Sequence, residues 1–448
     1  MTMLAVAPIL DWENLSGQSK LVVDLVTIPL FSAFAGLLTN WTGVLMLFAP
    51  AQFTGFYVPG LRRVFPFLPR KVQILPIFAP NGILGFQGFI PCRAEKMSSL
   101  VVDKTIARIG RIEDFYTQLE PERLAARLAD AARPEIRRLT IEIIERDHAT
   151  LWRTLPNIAR EKVLRTVDAE LTTISRHAFA TIGDNIDELL DVKLMTVNYL
   201  RRHPELLRDI IKGMAVPELK FMVRSGALGL PLGVVLAQVL SFAHYAHLPL
   251  PGWLIVVAGA ALIGVVVNVI AIKVVFEPGE PRPRYRYLWR QGLFARRQHE
   301  AAAQLAAMLA TKVLTVANFS HELFHGAHGE RTLALIASSV SAEVDRVLGP
   351  FRIVARNSLG IIDVDALGHG TGVAVREFAP TLLSDDDFTR EEAHKIDTYA
   401  TEKLRSLPAD EFGEMLYAAV EQDAWLLYVH GAVLGILVGA VHILIFGA

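Results

Sequence analysis

Four stretches of this chain are almost wholly apolar, and the segments between them mix apolar and charged positions. The apolar stretches run over residues 25–48, 226–243, 253–276 and 425–447. A helix needs about 20 such residues to cross a bilayer, so each is long enough to be a span. The turn HYAHLPLPG over 244–252 joins the second and third, with Pro249, Pro251 and Gly252 breaking the helix. The leader over 1–24 has no basic n-region and no cleavage site after an apolar core, so the first span is expected to stay in the mature protein.

The mixed segments carry helical spacing. Leu124 and Leu128, then Ile136, Leu139 and Ile143 after Pro134, predict two short amphipathic helices. Apolar residues at intervals of three or four from Val163 through Leu171, Ile182 and Leu189 predict one long helix. Leu333, Ile336, Val340, Val344 and Val347 predict another, ended by Gly349–Pro350. No sustained alternation predicts a sheet. The expected fold is all-α: four transmembrane helices and two related helical extramembrane domains, at 49–225 (with an interfacial loop at 51–86) and at 277–424.

The spans repeat one another. Residues 32–50, SAFAGLLTNWTGVLMLFAP, overlay residues 260–278, AALIGVVVNVIAIKVVFEP, so that Ser32 meets Ala260, Gly36 meets Gly264, Asn40 meets Asn268 and Pro50 meets Pro278. QGFIPCR at 87–93 matches QGLFARR at 291–297, and PELKFMVRSGA at 217–227 matches DAWLLYVHGA at 423–432. This predicts an internal duplication of span, loop, helical domain and returning span. Ser32, Gly36 and Asn40 lie on one helix face, as do Ala260, Gly264 and Asn268, and Gly431, Gly435 and Gly439. Such faces let backbones approach closely. A buried amide in lipid is costly without a partner. The asparagines are therefore read as packing residues bonded within the bundle, the alternative being a lining for an ion or headgroup path. Lys273 stands one turn beyond Asn268, whereas its counterpart is Leu45, which argues against a symmetric charged pathway.

Between Pro50 and Gln87 the first half carries an insert that mixes Phe53, Phe56, Tyr57, Phe65, Phe67 and Phe78 with Arg62, Arg63, Arg70 and Lys71. Its prolines forbid a long helix. Aromatic and basic residues directly after a span fit an element at lipid headgroups, or else a structured loop packed on the helical domain.

The 448 residues have 45 Lys and Arg against 46 Asp and Glu, so no basic excess suggests nucleic acid as a partner. Cys92 is the single cysteine, which rules out a disulfide framework and a thiolate-rich metal site. His321-Glu322-Leu323-Phe324-His325 fits the zincin pattern HExxH, in which two imidazoles share a helix face and the glutamate activates a metal-bound water. Gly326 follows at once, and no third ligand stands out beyond His328 or Glu330. The run Asp385-Asp386-Asp387 lacks the spaced ligands of a calcium loop. With no Walker A loop, no nucleophile elbow and no dinucleotide turn, the reading is non-enzymatic and no cofactor is expected.

The pattern G-x-x-x-N-x-x-A-I-K-x-x-F-x-P with a following QG and R, the stretch DVKLMTVNYLRRHPELL, and the terminal EFGEMLYAAVEQDAWLLYVHGAVLG resemble the bacterial membrane proteins catalogued as domain of unknown function 445, the YheB-like and YjiN-like proteins. Leu45 departs from the lysine of that pattern, and the first loop is longer than is usual there. The resemblance implies a multi-pass protein of the bacterial inner membrane and brings no catalytic residues. Arg62, Arg63, Arg70, Lys71, Lys212, Lys220, Arg224, Lys273, Arg282, Arg284, Arg286 and Arg290 flank the spans on one side, against Lys20 on the other. The larger segments are therefore expected in the cytoplasm. The partners expected are the bilayer, phospholipid and other envelope proteins, and the function expected is envelope organisation, lipid handling or scaffolding. A transporter or channel and a zinc hydrolase are the alternatives.

Overall fold

The computed structural model describes residues 9, 12, 15, 17–73, 75–79, 81–283, 289–348, 386–421 and 424–447. Arg284, Arg286, Gly349–Pro350, Asp385 and Asp423 lie outside them, as do the side chains of Lys71, Leu100, Val101, Leu139, Ile143, Val344 and Val347. Nearly every described element is a helix. Among the described residues, four helices are long and apolar enough to cross a membrane: Lys20–Phe48, Val216–Tyr245, Gly252–Phe276 and Ala424–Phe446. The first begins ahead of residue 25 because Lys20 pairs with Asp24 one turn along, which offsets both charges of the opening turn.

The chain divides into two compact units, one of Met1–Val101, Arg201–Gln304 and Arg405–Ala448, the other of Val102–Leu200 and Leu305–Leu404. The first unit holds the spans. Within it the first span packs along the second and fourth, and the third along the fourth and second. Ile28, Leu236, Ala237, Val256, Ile263, Val267 and Ile443 form their shared core. In a bilayer, whose lipid tails are as apolar as these side chains, helices associate through close packing rather than by expelling water.

That closeness is set by small residues. A Cβ placed on Gly36 of the first span would lie 2.2 Å from the carbonyl oxygen of Gly226 on the second. One placed on Gly264 of the third would lie 2.2 Å from the carbonyl oxygen of Gly431 on the fourth. One turn further along, a Cβ on Gly229 would meet the Ser32 carbonyl at 2.1 Å, and one on Gly435 the Ala260 carbonyl at 2.3 Å. The two crossings match, yet the second span repeats its glycine after three residues and the fourth after four.

Pro231 accounts for the difference. It has no N–H for the Ala227 carbonyl, and its ring would collide with that group in an α-helix. The turn Gly226–Leu228 accordingly winds as a 3₁₀ helix, in which Gly229 N–H reaches back to the Gly226 carbonyl. A 3₁₀ turn holds three residues rather than 3.6, which brings Gly229 to the crossing.

The first unit also contains a two-stranded antiparallel sheet, Thr54–Tyr57 with Ile83–Phe86, which departs from the all-helical expectation. Four-residue strands are too short to show alternation, and the register sets Gly55 opposite Gly85, where a Cβ on Gly85 would meet the Thr54 carbonyl at 2.1 Å.

In the second unit Pro121–Thr154 and Asn157–Asp184 form an antiparallel hairpin, with Gly329–Leu348 packed on the latter. The two short helices expected around Pro134 are one continuous helix. Packing along its neighbour compensates the lost ladder bond, and Arg137, a turn beyond the proline, donates from Nε to Asp168 Oδ2 at 2.8 Å. The long helix expected to reach Leu189 stops at Asp184, where Asn185 leaves helical geometry, and a short turn Ile186–Leu189 follows.

If Pro231 sets the phase of the second span, Pro231→Ala should lower the melting temperature of the detergent-solubilised chain. Removing a proline from a helix interior ordinarily stabilises by up to about 3 kcal/mol. An alanine inserted after Leu228 in the same variant should restore the lost stability. A melting temperature that rises with Pro231→Ala alone would overturn this account.

Candidate functional site

Polar side chains inside the span bundle are its chemically distinctive feature. Asn40 and Asn268 are both buried. The Asn40 carboxamide donates to the Met222 carbonyl and to Ser225 Oγ at 3.1 Å. The Asn268 carboxamide donates to the Leu427 carbonyl at 2.7 Å. Met222 stands four residues before Gly226, and Leu427 four before Gly431, so each asparagine caps the glycine crossing of its own pair of spans. Gly226 N–H bonds the Val223 and Arg224 carbonyls rather than that of Met222, which instead accepts from Ser225 Oγ at 2.7 Å as well as from Asn40. Asn40 Oδ1 is buried without a protein partner.

Two histidines of the fourth span join this set. His430 Nε2 lies 2.8 Å from Thr42 Oγ1, and His442 Nε2 lies 3.0 Å from Thr27 Oγ1, both threonines being on the first span. Thr42 Oγ1 also donates to the Leu38 carbonyl at 2.7 Å, and Thr27 Oγ1 to the Val23 carbonyl at 2.8 Å. With each hydroxyl proton so engaged, the imidazole Nε2 is the natural donor to the hydroxyl oxygen. Sequence reasoning passed over these histidines, although any ionisable residue within a span was the available signal. Beside His442, a void of about 20 Å³ is lined by Ile28, Ser32, Ala260 and Gly439 among others.

At the bundle's edge the repeated QG…R motif has a structural role. Gly88 N–H donates to the Pro50 carbonyl and Gly292 N–H to the Pro278 carbonyl, each at 2.9 Å. Gln87 reaches the Ala51 carbonyl at 2.9 Å and Gln291 the Gly279 carbonyl at 2.7 Å. Arg297, which ends the second motif, grips both oxygens of buried Glu218 at 2.8 and 2.9 Å and also bonds Glu300. Those carboxylates hold its guanidinium pKa above the ordinary value, Glu300 foremost. Arg297 in turn holds the Glu300 carboxyl below its usual range.

The HExxH residues lie on the helix Val316–His325, capped by Thr315 Oγ1 accepting from Asn318 N–H at 3.2 Å. Leu323 and Phe324 face inward, whereas His321 and His325 are exposed with ring centroids 5.2 Å apart. Glu322 is half-buried and its carbonyl accepts from Gly326 N–H, where the helix ends. Among the described residues no group of three or more His, Cys, Asp or Glu is placed to hold a metal ion. His328 instead lines a cleft of about 340 Å³ with Asp187 and Asp191. Arg62, Arg63 and Arg70 are exposed on the insert, well apart in sequence from the asparagines.

Comparison with known proteins yields no match: no family model, no curated protein and no solved structure matches this chain.

The contacts rank the bundle residues. Asn268→Ala removes one interhelical bond, about 1 kcal/mol in a membrane. Gly264→Ala forces two backbones apart and should lower the melting temperature in detergent by more than Asn268→Ala does. The reverse order would show that the amide, not the glycine crossing, holds the third and fourth spans together.

Proposed function

We propose that this chain is a non-enzymatic, multi-pass protein of the bacterial inner membrane, similar to the domain of unknown function 445 proteins, that serves envelope organisation, lipid handling or scaffolding. In this reading it is an internal duplication, with its larger segments in the cytoplasm. The observation that carries it is the matched capping of the two glycine crossings: Asn40 on the Met222 carbonyl, Asn268 on the Leu427 carbonyl. Polar groups spent on the neighbouring backbone lock helices together. Groups lining a path for a solute need to exchange partners with it, and the void of about 20 Å³ beside His442 has room for about one water. The matched bonds of Gly88 with Pro50 and of Gly292 with Pro278 support the duplication independently of the spans.

Reconstituted proteoliposomes holding potassium and proton gradients should stay as tight as empty vesicles. A leak carried by the wild-type chain and abolished in Asn40→Ala or Asn268→Ala would replace this reading with the transporter. Sidedness is tested with Arg282→Cys in a Cys92→Ala background. A membrane-impermeant maleimide should label it only after the cells are opened, and labelling of intact spheroplasts would invert the topology.

A further inference from the structure

We propose that the 51–86 insert is an interfacial paddle that seats its exposed aromatic side chains in the headgroup layer of the bilayer around the spans and binds anionic phospholipid there. The inference rests on reading the four apolar helices as membrane spans.

The described residues of the insert are folded and tethered. It leaves the first span at Pro50, and its two ends are tied by Gly88 N–H to the Pro50 carbonyl and by Gln87 to the Ala51 carbonyl. The sheet of Thr54–Tyr57 and Ile83–Phe86 forms its stem. Beyond the stem, Gln73 Nε2 donates to the Phe65 and Leu68 carbonyls at 3.1 and 2.8 Å and fixes the Phe65–Phe67 turn. A folded element ordinarily buries its large apolar groups, but this one displays several of them. Phe67 is 88% exposed, Phe56 66%, Tyr57 62% and Val64 52%. Exposed apolar clusters of this kind mark a surface that meets something else, and aromatic rings favour the membrane–water boundary.

Charge identifies the occupant. No Asp or Glu occurs between Asp24 and Glu95, while the insert carries Arg62, Arg63, Arg70 and Lys71. Arg62, Arg63 and Arg70 are exposed, and none of the three pairs with a carboxylate among the described residues. An uncompensated cationic and aromatic surface, tethered directly to the end of a span, is complementary to anionic headgroups. Each cation at such a surface contributes about 1 kcal/mol, or roughly fivefold in partitioning.

The test is spin-label accessibility on the full chain in nanodiscs, in a Cys92→Ala background, with one label in turn at Val64→Cys, Leu262→Cys and Ile158→Cys. Leu262 is an exposed residue of the third span, and Ile158 is 85% exposed outside the spans. The label at 64 should be accessible to oxygen and shielded from a water-soluble nickel chelate, at headgroup depth. It should sit deeper in discs with phosphatidylglycerol than in pure phosphatidylcholine. The combined Arg62→Ser, Arg63→Ser and Arg70→Ser variant should abolish that difference. Nickel accessibility at 64 equal to that at 158 would overturn the proposal, as would shielding from both reagents, which marks a protein partner or second copy. A depth at 64 that ignores lipid charge would overturn the anionic part. If the label at 262 reports water, the span reading itself fails, whatever the label at 64 reports.

Discussion

The unit of four apolar helices depends on two places where helix backbones touch. At Gly36 against Gly226, and at Gly264 against Gly431, a single added carbon would fall well inside contact distance of the opposing carbonyl oxygen. In lipid no gain from expelling water draws helices together, so dispersion contacts and weak Cα–H···O interactions at such crossings supply the attraction. They also set what else can form. Only at this separation can a carboxamide on one helix reach a main-chain carbonyl on the next, as Asn40 and Asn268 do. The histidine–threonine pairs between the first and fourth spans then add polar contacts on another face of the first helix.

The four spans and their small-residue faces were legible because they live in residue type and spacing. Asn40 and Asn268 stood out as polar letters in apolar runs. Their acceptors did not, because a backbone carbonyl leaves no trace in the sequence. For the same reason the bonds of Gln87 and Gln291 to the Ala51 and Gly279 carbonyls were hidden behind a visible motif. The pairing of Glu218 with Arg297 joins residues 79 positions apart, and neither one alone reveals its partner.

Local rules failed where tertiary contacts outweighed them. Pro134 reads as a helix boundary, yet Pro121–Thr154 runs through it because Arg137 and the neighbouring helix hold the far side in place. The expected second span runs unmarked through Pro231, yet the turn before that residue winds as a 3₁₀ helix and shifts the phase of the span. The strands at 54–57 and 83–86 escape notice because two facing glycines, not alternating side chains, let them pair.

The clamp formed where the spans exit has a consequence for how such a chain can change. Gln87 bonds a carbonyl 36 positions away, whereas Gln291 makes the corresponding bond across only 12. Because both ends of the intervening loop are pinned to the same span terminus, a threefold increase in its length adds only about 1 kcal/mol of closure entropy. The exits of the first and third spans are thus sockets: a new module can be spliced in at either while the bundle beneath keeps its geometry, and the two can carry different ones.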